Sequence, residues 1–330
     1  MLNLIVAPAQ YNKNGEKIAK KIVHFLKAEN KEYSVYFFTN FDKLDAQAHE
    51  LTEQLETEFA IIGDDLVLSH FLNNVKDITK IKIGIIPISK HDDFANYLEI
   101  NANPIQAIKT ILENKIEHVD FLTMNNKIVL NNISIGASVE LFEIYNSYKI
   151  KNYITRKFAT HKHANKIEDF EILIDNKSSK PKKEIVYEMS ISNGGILNGK
   201  HVNPLANVKD GLFNLSYSVG LETKHKKSYL SKFNTGEQIY NGHTKQVWLS
   251  TVTLKKPEGD LKVMADGVIE TYPEININIV EGGLKIYRWK QIIRGNQFEH
   301  KFEHKRDNFA NRIWNRFNYL VIYSKIDIIK

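Results

Sequence analysis

The sequence predicts three parts: an α/β domain on a Rossmann-like parallel sheet over residues 1–122, a β-rich antiparallel sandwich over 123–289, and a basic helical tail over 290–330. Short apolar runs alternate with amphipathic stretches through the first third of the chain. Close-spaced strand-like runs divided by Gly, Pro, Asn and Asp follow. From Gln291 onward eight Lys and Arg oppose four Asp and Glu, which concentrates most of the chain's net charge of +6 in its last eighth.

"LNLIVA" reads as a buried strand, and "NGEKIAKKIVHFLKAEN" as a helix with Ile18, Ile22, Phe25 and Leu26 on one stripe. "YSVYFFT", "FAIIG" and "KIGIIPI" are further strands, separated by the helices "FDKLDAQAHELTEQL" and "VLSHFLNNV" and followed by "NPIQAIKTILEN". Strands separated by helices at this spacing form parallel sheets, and the loops at their carboxyl ends are the usual ligand site. In the second part, "HVDFLTMNNKIVLNNISIG" places an "NN" turn between two strand-like runs. "DFEILIDN", "KKEIVYEMSISNG", "GLFNLSYSVG", "KQVWLSTVTLKK", "LKVMADGV" and "EININIVEGGLKIYRW" continue the β pattern, with helical "SVELFEIYNSYKIKNYITRKF" and "KKSYLSKFNTGEQIY" among them. In the tail Phe302, Phe309, Ile313, Trp314 and Phe317 lie among bases, as in an interfacial amphipathic helix. The alternative is a helix docked on the protein with its basic face in water.

Composition narrows the function classes. The chain of 330 residues is 42% hydrophobic and 25% charged, as in a soluble globular protein. No apolar run is long enough to span a membrane, and "MLNLIVAPAQ" reads as a strand rather than a signal peptide. The absence of cysteine excludes disulfides and thiolate catalysis, which fits a cytoplasmic location. The basic balance suggests phosphates, nucleic acid or an anionic membrane face as partners. No zinc module, RNP motif or base-reading helix is evident, so specific nucleic-acid binding is not expected.

The order of several motifs resembles the bacterial diacylglycerol kinase and sphingosine kinase family of lipid kinases, over roughly residues 2 to 288. The family's first-strand turn falls on "APAQ", with Pro8 kept. Its G-G-D-G-T loop falls on Ile62, Gly63, Asp64, Asp65 and Leu66, and its P-x-G-T-x-N-D-F-A segment on "PISKHDDFA". N-x-x-S-I-G matches Asn131, Ser134, Ile135 and Gly136. "PLANVKDGL" keeps Pro204, Ala206, Asp210, Gly211 and Leu212. The closing D-G-E motif falls on Asp266 and Gly267, with Val268 in place of the glutamate.

The resemblance implies an NAD-kinase/diacylglycerol-kinase-like fold with the active site in the cleft between its two domains. ATP and Mg²⁺ are the implied cosubstrate and cofactor, and a lipid hydroxyl is the implied acceptor. Asp266 is then the general base. Gly63, Asp64, Asp65, Ser89, Lys90 and His91 touch nucleotide, and Asp64 and Asp93 act on Mg²⁺ directly or through water. Asp210 marks a second metal position, although Lys209 replaces a preceding acid there and its ammonium can stand in for the ion's charge. The phosphate loops depart from the family pattern. Ile62, Asp65 and Leu66 remove two glycines and a hydroxyl, and Asp65 adds negative charge. Lys90 either offsets that charge as a point contact on phosphate or is a solvated side chain in a decayed cradle.

Other motifs are weaker. "GGILNGKH" nearly fits a P-loop but ends in His201 and lacks the strand-then-helix flanks. "HKFEH" at 300–304 has the inverted zinc-protease order in a charged tail without a third ligand. "THKHAN" reads as a solvated basic loop. Two readings therefore stand: a lipid kinase peripheral to the inner membrane face, or a catalytically degenerate relative that binds lipid or partner. A homodimer is left open.

Overall fold

The computed structural model describes residues 1–53, 57–89, 92–177, 180–197, 199–233, 235–240 and 242–288. Its first part runs β1 (Leu2–Val6), α1 (Asn14–Ala28), β2 (Tyr33–Tyr36), α2 (Phe41–Leu51), β3 (Thr57–Gly63), α3 (Asp65–Asn74), β4 (Ile81–Pro87), α4 (Asp93–Tyr97) and α5 (Pro104–Leu112). The strands lie in the order β2-β1-β3-β4, all parallel. β1, with sequence LNLIV, is buried at every position, as a strand covered on both faces requires. α1 lays Ala19, Ile22 and Leu26 against that sheet at helical spacing. α5 begins where the Asn103 side chain caps the Ile105 N–H and Pro104 fills a position that needs no donor.

The rest of the chain continues with β5 (Ile116–Met124), β6 (Lys127–Val129), β7 (Asn132–Gly136), α6 (Ala137–Asn146), α7 (Tyr153–His163), β8 (Phe170–Asp175), β9 (Lys182–Val186), β10 (Glu188–Ser192), β11 (Ile196–Leu197) and β12 (Lys200–His201). β13 (Phe213–Ser218), α8 (Thr223–Phe233), β14 (Thr244–Leu249), β15 (Thr251–Lys255), β16 (Leu261–Ala265), β17 (Val268–Tyr272) and β18 (Glu274–Tyr287) complete it. The "NN" turn is the β5–β6 hairpin, with Asn125 and Asn126 at φ of 47° and 70°, as that tight turn requires. A second sheet, β14-β13-β10-β7-β16-β17, is antiparallel throughout. Ile135, Ile191 and Leu215 from it meet Ile172, Leu254 and Ile277 of the first sheet in one apolar core. This is the expected sandwich.

One strand links the two parts. β18 pairs antiparallel with β15 and β5, passes an irregularity between Val280 and Leu284, and then pairs parallel with β4 through Lys285 and Ile286. The expected border at 122/123 falls inside β5, which pairs with β18 on both sides of that irregularity. Residues 1–290 accordingly form one compact unit. The helical run after Gly136 divides in two: α6 ends at Asn146, and α7 restarts at a capping box between Asn152 and Thr155. His161 and His163 therefore stand on a helix, not in the expected loop, because the α7 hydrogen-bonded ladder continues through them. The expected tail at 290–330, with its "HKFEH" motif, lies outside the described residues.

Candidate active site

Two loops of the parallel sheet and one turn of the sandwich bring five aspartates together. β3 ends at Gly63, and Asp64 starts α3 by accepting the Val67 N–H at 3.2 Å through Oδ1. Its other oxygen accepts the Tyr11 hydroxyl at 2.5 Å. A side chain at Gly63 would place Cβ 2.5 Å from Val67 Cβ, so this glycine serves the close approach of α3 to β3. Asp65 reaches across to α4 and accepts the Phe94 N–H at 3.0 Å. In the loop after β4, buried Asp92 accepts the Ser89 N–H at 3.2 Å. Asp93, the first residue of α4, accepts the Gly199 N–H at 2.6 Å from between β11 and β12. Asp266 sits at φ 44° in the β16–β17 turn and accepts N–H groups of Leu130, Asn131 and Asn132 at 2.6, 3.0 and 3.1 Å.

Three of these carboxyls, Asp65, Asp92 and Asp266, lose protons with difficulty. Burial, more than any neighbour, raises Asp65 well above the ordinary carboxylate range, with Asp266, Asp93 and Asp92 adding repulsion against its Phe94 hydrogen bond. Burial likewise pushes Asp92 up to about 7, with charge on Asp64 and Asp93 adding to it. Asp266 is raised to about 6 by burial, its three backbone donors pulling the other way. Asp65, Asp93 and Asp266 face one space.

That space is a cleft lined by Asp65, Asp93, Asn131 and Asp266, closed on its other side by Phe142, Leu197 and Met264. The same Phe142, Leu197 and Met264 wall a groove that runs on between α6, α7 and α8, among Leu141, Tyr145, Leu230 and Phe233. The acidic cleft and the apolar groove thus share a wall. A ligand with an apolar body and a polar end fits both.

The expected site residues divide by place. Asp65, Asp93 and Asp266 line the cleft, Asp64 lies just behind it on Tyr11, and Ser89 flanks it through Asp92. Lys90 and His91 lie outside the described residues. Asp210 is elsewhere, accepting the Leu212 N–H at 3.1 Å. Beside it the Lys209 ammonium pairs with Glu117 at 2.7 Å, and Arg288 adds a second contact to Glu117 at 3.4 Å. Asp120 accepts the Gly211 and Gly282 N–H groups. The Lys209 ammonium on Glu117 thus supplies positive charge next to Asp210, where the resemblance implies a second metal. Sequence reasoning did not pick out Tyr11 or Asp92. Asp92 stands where the family motif has asparagine, so its added charge was visible, but nothing in the sequence pairs Tyr11 with Asp64.

The cleft was also tested for a nucleotide and its ion. Three backbone donors of the two loops, those of Val67, Ser89 and Phe94, already point at the chain's own carboxylates. Among the described residues no group of three or more His, Asp or Glu is placed to hold a metal ion. The hard oxygen donor at Asp93 nonetheless suits Mg²⁺ of the kind that arrives with substrate phosphates and needs only one or two carboxylates.

An α/β sheet whose loops meet a β-sandwich over an acidic cleft, with an apolar groove leading in, defines a two-lobed fold of the lipid kinase type. Residues 1–124 match the model of the diacylglycerol kinase catalytic domain. A Staphylococcus carnosus (strain TM300) protein named "Putative lipid kinase" is 26% identical over 239 residues, covering 69% of this chain and 76% of its own. Two Bacillus anthracis str. Sterne crystal structures described as diacylglycerol kinases, one of them as a "putative" one, superpose with TM-scores of 0.72 and 0.67 at 18% and 17% identity. Each covers 88% of this chain, and 96% and 98% of its own length. In its matched domain, its curated relative and its fold, the chain is similar to the diacylglycerol-kinase-like lipid kinases.

Proposed function

We propose that the protein transfers the γ-phosphoryl group of ATP to the hydroxyl of a lipid of the diacylglycerol type. The observation that carries this reading is the shared wall of Phe142, Leu197 and Met264 between groove and cleft, which brings the polar end of a lipid to Asp266. Asp266 acts as the base. Its three backbone N–H donors fix the carboxylate and leave about one of its four lone-pair positions for the hydroxyl proton. A value near 6 leaves it ionised at neutral pH, as a base must be. Burial raises the Asp65 carboxyl, which lessens its opposition to the triphosphate. Mg²⁺ bound with the nucleotide would neutralise charge on the phosphates, and Asp93, with Asp64 through water, would hold it.

A second reading is favoured by one observation. The N–H groups of Ser89 and Phe94, which would cradle phosphate, are bonded to Asp92 and Asp65. On that reading the groove holds a lipid and no phosphoryl transfer follows. Calorimetric titration of Mg·ATP separates the two, with Asp266→Asn in parallel and a lipid phosphorylation assay on both proteins. The kinase reading expects saturable heat, lipid phosphate formation, and loss of turnover by at least about 100-fold in Asp266→Asn with ATP binding retained. No heat up to several millimolar and an unchanged melting temperature would establish the non-catalytic reading.

A further inference from the structure

α7 turns the wrong side to water. A helix on a globular protein directs its apolar stripe at the core. In α7 the fully buried residue is Ala159, with Thr155, Arg156, Thr160 and His163 half-buried. Its outer face carries Tyr153, Ile154 and Phe158 at 62%, 74% and 55% exposure, and Ile150 just before the helix is 67% exposed. Four of the twelve large apolar side chains exposed among the described residues thus fall within nine consecutive positions, which is a patch and not scatter.

The segment that carries this patch has charge of one sign. Residues 144–167 contain Lys149, Lys151, Arg156, Lys157, Lys162 and Lys166 and no Asp or Glu, so this segment alone carries +6. The ammonium of Lys157 lies 4.6 Å from the Tyr153 ring centre and that of Lys162 lies 5.7 Å from the Phe158 ring. Rings and aliphatic tips flanked by lysines suit the boundary between acyl chains and anionic headgroups, where the apolar parts sink and the ammoniums stay at headgroup level. The opposite side of the same helix, through Arg156, Ala159 and Thr160, lines the apolar groove.

We propose that α7 and the loop before it form the surface by which this protein lies on an anionic lipid bilayer, with the groove opening beside the site of contact. The sense of the groove rests on the lipid reading above, whereas the bilayer contact does not. An amphipathic helix facing outward, a uniformly basic segment, and continuity with an apolar groove together select a bilayer over a solvated face. They equally weigh against an acidic protein, which would not need the isoleucines and phenylalanine.

The test is co-sedimentation of the full chain, without ATP, with phosphatidylcholine vesicles and with vesicles containing about 30% phosphatidylglycerol. Three variants accompany it: Ile154→Ser with Phe158→Ser, Lys151→Glu with Lys157→Glu and Lys162→Glu, and Arg312→Glu with Arg316→Glu in the tail. Circular dichroism and gel filtration verify their fold and mass. Wild type is expected to bind the anionic vesicles, and both α7 variants to lose about tenfold or more in apparent affinity. The proposal is overturned if wild type does not sediment, or if the α7 variants bind as wild type does, whether or not the tail variant loses binding. It is equally overturned if Ile154→Ser with Phe158→Ser converts a dimer to a monomer with vesicle binding intact, since the face would then belong to a second copy. Because no nucleotide is present, failure here leaves the kinase reading untouched, and failure of phosphoryl transfer leaves this one untouched.

Discussion

Asp65 and Asp92 supply, from side chains, the acceptors that a bound anion would supply to backbone N–H groups of the α4 loop. Those donors are thereby satisfied within the chain. Glu188 is a second buried acid, with a clearer consequence for stability. It is 1% exposed in β10 and accepts both the N–H and the hydroxyl of Ser138, at 2.7 and 2.6 Å. Burial pushes its carboxyl up to about 8 against those two hydrogen bonds. Unfolded, it titrates near its ordinary value of about 4.3. Between those limits the folded state holds a proton that the unfolded chain has lost. The contribution of Glu188 to stability is therefore greatest in acid and falls as pH rises through the window, by about 1.4 kcal/mol per pH unit at most. Glu188→Gln keeps the shape, and the Ser138 hydroxyl can rotate to accept from the amide. Urea unfolding at about pH 5 and about pH 8 is expected to give the variant a flatter pH dependence and a stability above wild type at the higher value. Parallel losses in the two proteins would assign the titration to another group.

At the scale of elements, the β3–α3 junction separates two roles for a glycine. A phosphate loop uses glycine so that a ligand can approach the backbone. At Gly63 the close neighbour is instead Val67 in the first turn of α3, 2.5 Å from where a Cβ would stand. Gly63→Ala is expected to cost about 1–3 kcal/mol in urea unfolding, as overpacking does, and Val67→Ala in the same chain should restore part of it. A change within about 0.5 kcal/mol would show that the junction yields freely. The elements themselves were legible in the sequence because their signals are local: LNLIV as a buried strand, Asn103-Pro104 as a helix start, and Asn125-Asn126 as a hairpin turn. The gap between α6 and α7 was less so, since its signal is a capping pair, Asn152 and Thr155, inside a run that reads as helical throughout. Of the site, Asp64, Asp65, Asp93 and Asp266 could be named from motif order. The direction of each carboxylate could not, because Phe94, Gly199 and Leu130 are brought to them only by packing across the sheet and the cleft.

The whole molecule turns on β18. Its 14 residues start among the antiparallel strands of the sandwich and end beside β4, so one strand joins the parallel and antiparallel parts of the first sheet. Its pairing was not legible because register depends on partners more than 100 residues away, such as Met124 opposite Ile277. A strand held in common couples the stability of the α/β part to the sandwich. Ile277 is fully buried among sandwich residues and remote from the parallel strands. Ile277→Ala is expected to cost about 2–5 kcal/mol, the range for a cavity in a packed core. If β18 makes one cooperative unit, that loss will appear equally in every probe. Far-UV circular dichroism, weighted to the helices on the parallel sheet, and tryptophan fluorescence, which includes Trp248 of β14, should give coincident single transitions shifted to lower urea together. A biphasic curve, with the helical signal surviving at the wild-type midpoint while fluorescence moves, would mean that the parallel sheet stands without the sandwich. The cleft would then lie between two independently folding parts, and its carboxylates could be separated by opening instead of being held at fixed distances. Coincident transitions would mean that Asp65, Asp93 and Asp266 keep their mutual geometry for as long as the protein is folded at all.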